Sequence, residues 1–144
     1  ISKSDRLADQ ALDIINKIRF ATLIIGALTL LGSGIALMNI MLVSVNERTR
    51  EIGISKALGA TKRTIRIQFL TEAIVICQIG GVLGIIIGIA LGNVVGYFLK
   101  TGFIFPVVWV VGGIVFTFLV GLAAGLYPAI KAADLDPVEA LRYE

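Results

Sequence analysis

Three apolar runs, at residues 20–45, 67–99 and 105–127, each reach or exceed the roughly 20 residues that an α-helix needs to cross the ~30 Å hydrocarbon layer of a bilayer. Lipid offers no partner for an open backbone N–H or C=O, so spans separated by short connections imply helices. The composition agrees. Of the 144 residues, 57% are hydrophobic and the mean hydropathy is +0.94, more apolar surface than a soluble core of this size hides. The fold class expected is therefore an all-α membrane protein with three transmembrane helices. The first run, at 1.5 Å per residue, is roughly 39 Å long, so it must tilt or overhang the interface.

The same composition removes several classes of function. Histidine is absent and Cys77 is the single cysteine, which excludes a histidine-based triad, a disulfide framework and a thiolate metal cluster. The net charge of +3 is modest, and its basic residues lie between the spans, so no nucleic acid partner is expected. The chain opens on a polar stretch without Met or a short apolar core, so no signal peptide is read there. It is expected to be the C-terminal part of a longer protein.

Residues 1–19 read as an amphipathic helix. Leu7, Ala11, Ile14, Ile15 and Ile18 share one stripe, while Asp5, Asp9, Asp13 and Lys17 recur at every fourth position on another. Ser4 is the expected N-cap. No breaker separates this segment from the first span, which predicts one helix continuing out of the bilayer as a stalk. Orientation follows from lysine and arginine alone. Segment 46–66 and the tail 128–144 carry Arg48, Arg50, Lys56, Lys62, Arg63, Arg66, Lys131 and Arg142. The other side, including the short loop 100–104, carries Lys3, Arg6, Lys17, Arg19 and Lys100. The more basic side is placed in the cytoplasm.

Residues 47–58, ERTREIGISKAL, have helix-forming composition, with Glu47 spaced to pair with Arg50 and Arg48 with Glu51. Gly59 is placed to stop this helix and Thr61 to cap the next. Two roles fit such an interlude: a solvated loop lying on anionic headgroups, or a docking helix for a cytoplasmic partner. In the second span Gly80, Gly84, Gly88, Gly92 and Gly96 recur every fourth residue, and Gly121 and Gly125 repeat the spacing in the third. Such a seam serves helix packing, either within the subunit or between subunits. Glu72 is expected near the interface or with a partner. Pro128 is expected to halt the third span. Beyond it, Asp136, Pro137 and Glu139 take the positions of a capped terminal helix, lying on the membrane surface or touching a partner.

Residues 39–73, NIMLVSVNERTREIGISKALGATKRTIRIQFLTEA, the glycine-rich span after them, and residues 127–144, YPAIKAADLDPVEALRYE, together resemble the FtsX-like permeases of MacB-type ABC transporters. The resemblance covers nearly the whole chain. It implies a bacterial inner-membrane permease with an extracytoplasmic domain and a first span upstream of the residues here. It implies that Glu47, Arg48, Arg50, Glu51, Ile52, Gly53, Lys56, Ala57, Leu58 and Gly59 form the coupling helix that seats in a cytoplasmic ATPase. Asp136, Pro137, Glu139 and Leu141 would then lie near that contact. No GxxxxGK[ST] loop occurs, so the chain is expected to be non-enzymatic, with ATP and Mg²⁺ on the partner or a fused domain. Further partners implied are membrane lipid and a second permease copy, with a periplasmic adaptor or outer-membrane channel left open. The expected function is transmission of ATP-driven motion for efflux or extraction of drugs, peptides or lipoproteins. The alternatives are a regulatory permease acting on cell-wall hydrolases or a sensor kinase, and a glycine-lined pore.

Overall fold

The structure, a computed structural model, describes residues 3–100, 102–103 and 105–136. It contains four helices among them: α1 (Lys3–Glu47), α2 (Thr49–Ala57), α3 (Lys62–Phe98) and α4 (Val107–Asp134). No strand occurs among the described residues. α1, α3 and α4 are long and apolar enough to cross a membrane. Two compact units are distinguished, Ile1–Ser33 and Gly34–Glu144.

The described residues of the first unit, 3–33, are all helical. α1 already includes Lys3, so Ser4 lies inside the helix instead of capping it. Asp13 and Lys17, one turn apart, pair at 2.7 Å on the surface. Leu7, Ile14, Ile15 and Ile18 form the expected stripe, and all are exposed. Further along, the hydroxyls of Thr22, Thr29 and Ser33 donate to the carbonyls of Ile18, Ile25 and Thr29. These bonds back to the preceding turn satisfy the side chains without a second helix, which suits them to lipid.

In the second unit α3 and α4 pack antiparallel. The contact advances by one turn on each helix: Gly113 meets Ile85, Thr117 meets Gly81, Gly121 meets Cys77 and Gly125 meets Ala73. Small residues alternate between the two sides, so the backbones approach closely. Gln78 adds a polar tie by donating to the Ile114 carbonyl at 3.2 Å and to Thr117 Oγ1 at 3.4 Å. The seam on α3 thus runs through Ala73, Cys77, Gly81 and Ile85. Each position of the expected seam from Gly80 to Gly92 lies one residue from a turn of this register, or about 100° round the helix. A Cβ placed on Gly80, Gly84, Gly88 or Gly92 meets no atom within 4 Å. Within this chain the packing expected of those four glycines belongs to Gly81, Gly113, Gly121 and Gly125.

The buried core sits at one end of this unit. It gathers Leu37, Met41 and Val45 from α1, Ile52 from α2, Ile65, Phe69 and Ala73 from α3, and Ala124, Ala129, Ala132 and Ala133 from α4. Pro128 is fully buried among them and does not end the helix; α4 continues to Asp134. A proline inside a helix forfeits one backbone hydrogen bond and crowds the preceding turn. The turns beyond it nevertheless bury three alanines completely, and that packing holds the helix together.

Candidate docking site

The segment joining α1 to α3 is built by local signals. Arg48 forms the turn at which α1 gives way to α2, so Glu47 and Arg50 fall on different helices and no ion pair joins them. α2 closes on Gly59, whose φ of +102° is the left-handed conformation that glycine adopts without penalty. The Gly59 N–H donates to the Lys56 carbonyl and the Ala60 N–H to the Ser55 carbonyl, both at 3.0 Å, the paired bonds of a Schellman ending. Thr61 then opens α3 by accepting from the Thr64 N–H at 3.2 Å. Both boundaries fall where the sequence predicts them.

α2 has an inner and an outer face. Ile52 and Gly53 are buried in the core. Arg48 also turns inward: its guanidinium reaches Glu51 at 3.4 Å and Glu72 of α3 at 3.3 Å, and lies 5.6 Å from the centre of the Phe69 ring. Glu72 therefore has a partner, which resolves the cost of a carboxylate close to a span. Lys56, part-buried, donates to the carbonyls of Ala133 at 2.6 Å and Leu135 at 2.5 Å. Burial pushes its ammonium below the ordinary lysine range, repulsion from Lys62 adds to this, and Asp134 and Asp136 oppose it. Lys62 itself pairs with Asp134 at 2.8 Å.

The outer face holds what remains of the expected coupling residues. Glu47, Arg50, Glu51, Ala57, Leu58 and Gly59 are exposed. Ile54, which the sequence reading passed over, joins them at 44% exposure, and Leu58 stands at 85%. Arg50, Ile54 and Leu58 fall at i, i+4 and i+8, one stripe of the helix surface. The helical spacing of Ile54 from the charged residues was the available signal for it. Of the tail residues, Asp136 is exposed and close enough to favour the charge on Lys56, while Pro137, Glu139 and Leu141 lie outside the described residues.

Helices without strands among the described residues, three of them long and apolar enough to cross a membrane and a short charged one fixed between the first two, define a multi-pass membrane protein with a built surface beside its spans. The chain belongs to the FtsX-like permease family: residues 23–137 match its C-terminal domain. It is 52% identical over 120 residues to the ABC transporter permease YvrN of Bacillus subtilis, covering 83% of this chain and 29% of that protein. It is 47% identical over 120 residues to the macrolide export ATP-binding/permease protein MacB of Bdellovibrio bacteriovorus, covering 83% of this chain and 18% of that protein. The chain thus spans less than a third of the length of these relatives. Family and spans together place it as a multi-pass protein of the bacterial inner membrane.

Proposed function

We propose that this chain is the membrane part of an ABC transporter of the FtsX/MacB type, and that α2 is the element on which a cytoplasmic ATPase docks. The observation that carries the reading is the division of α2. Its inner residues Arg48, Ile52, Gly53 and Lys56 are committed to α3, α4 and the core, while Arg50, Glu51, Ile54 and Leu58 are left exposed. An apolar pair beside opposite charges, beyond the apolar spans, suits a protein groove better than a lipid surface, which would favour basic residues alone. That some relatives are named ATP-binding/permease proteins supports the same reading.

In this reading ATP and Mg²⁺ are held by the partner or a fused domain, the α2 side faces the cytoplasm, and a second permease copy completes the assembly. The stalk at residues 3–19 conveys the motion outward for efflux or extraction of drugs, peptides or lipoproteins. Exchanging the charges (Arg50→Glu with Glu51→Arg) and adding Leu58→Asp in the full-length protein should abolish co-purification with the ATPase and transport, with the amount of protein in the membrane unchanged. Undiminished ATPase capture by this variant would remove α2 as the docking element.

A further inference from the structure

The last carbonyls of a helix have no N–H of their own helix to accept from, and they carry the negative end of its dipole. At the end of α4 two of these needs are met by one side chain from a distant segment. Lys56 Nζ lies 2.6 Å from the Ala133 oxygen and 2.5 Å from the Leu135 oxygen, across 77 and 79 residues of chain. Ala133 is completely buried and Leu135 half-buried, so water has little access to the first of these carbonyls and restricted access to the second. The Lys62 to Asp134 pair beside this contact is exposed on both sides and so contributes little of its own. At its other end α2 is tied to α3 by Arg48 through Glu72 and the Phe69 ring. The short helix is therefore tied to one span at each end, and the directed, polar part of its attachment to α4 is a single ammonium group beside the apolar contact of Ile52.

We infer that Lys56 is a positioning residue that passes displacement of α2 to α4, so that the third span follows the docking helix as one body. The inference rests on α2 being the docking element and adds to it the route by which movement leaves that element. A tie through two short, charge-assisted hydrogen bonds resists separation in a way that apolar contact between alanines and Ile52 does not, because apolar surfaces slide while directed bonds do not. Arg48 and Lys56 then divide the work. The first ties α2 to the second span and the other ties it directly to the third, in addition to the seam that joins the two spans.

The test uses the full-length permease with its ATPase in proteoliposomes, on a Cys77→Ala background. Spin labels are placed singly at Ser55, exposed on α2 and outside the proposed docking residues, and at Val108, at the far end of α4, which is 82% exposed. Each label is read against a reference label on the same protein with and without ATP and vanadate. In the parent both labels are expected to shift with nucleotide. In Lys56→Met the Ser55 shift and ATP hydrolysis persist while the Val108 shift is reduced, and Lys56→Arg, which keeps charge and two donors, restores it. If Lys56→Met does not reach the membrane, Lys56→Gln, with a neutral amide donor, carries the comparison. A Val108 shift undiminished in the neutral variants overturns the inference and leaves the docking reading intact. A Ser55 label that is silent in the parent overturns both.

Discussion

At the scale of single residues, a glycine on the α3–α4 contact and one off it answer the same substitution in opposite ways. A Cβ on Gly125 would lie 2.5 Å from the Ala73 Cβ, an atom fixed to its own backbone that no rotamer change can move. Alanine is the better helix former by about 1 kcal/mol, but overpacking a closed contact costs about 1–3 kcal/mol, so the steric effect wins. Gly125→Ala is expected to destabilise the chain by about 1–2 kcal/mol in a detergent unfolding titration. Gly84→Ala, with nothing within 4 Å of the added carbon, gains the propensity and meets no clash, so the isolated chain should be as stable as the parent or slightly more so. Equal losses at the two positions would show that the α3 and α4 register described here is wrong. The regular recurrence of Gly80, Gly84, Gly88 and Gly92 makes them conspicuous in the sequence, yet the seam uses Ala73, Cys77 and Gly81. Spacing identifies a face of small residues but not the rotation of that face toward a neighbour, which depends on where the other helix lies.

At the scale of elements, what is set locally is legible and what is set at long range is not. Gly59 and Thr61 end α2 and start α3 through bonds that span a few residues, so each can be read from its own neighbourhood. Forcing Gly59 to carry a side chain at φ +102° costs about 1–2 kcal/mol. Gly59→Ala should accordingly lower the unfolding midpoint, with Gly59→Asn milder because asparagine tolerates the left-handed region; equal effects of the two would point to lost space instead of backbone conformation. Pro128 shows the opposite case. Its sequence signal is to break a helix, and only the complete burial of Ala129, Ala132 and Ala133 against distant residues reverses it. The division of α2 is hidden in the same way: Arg48 and Lys56 look like members of one charged surface until Glu72 and the end of α4 are brought to them. The three long helices and the short helix between the first two could be read from the sequence, while the side of α2 that faces outward could not.

At the scale of the whole molecule, burial is distributed unequally between the two units. Every hydrophobic residue of the core lies between Leu37 and Ala133, whereas no described residue of 6–33 is buried. Inside lipid this matters little, because the helical backbone of residues 20–33 has no other partner than itself. Outside lipid it matters a great deal, since residues 6–19 are about as long as the ~12–15 residues at which isolated helices become marginal in water. They are nonetheless continuous with a span, so the costly first turn is already formed and only propagation is at stake. Such a helix frays from its free end, and its local opening free energy should fall steadily away from the bilayer. Amide hydrogen exchange on the isolated chain in lipid nanodiscs should therefore show protection that declines from residue 19 back toward residue 6. Backbone amides of Ile65, Phe69, Ala132 and Ala133 should stay protected at the level of global unfolding. The exposed stripe of Leu7, Ile14, Ile15 and Ile18 gives the gradient its meaning. Cover on that stripe would add apolar burial of about 1.5–3 kcal/mol per large side chain and flatten the decline. Uniformly strong protection across residues 6–19 in the chain alone would contradict an uncovered helix.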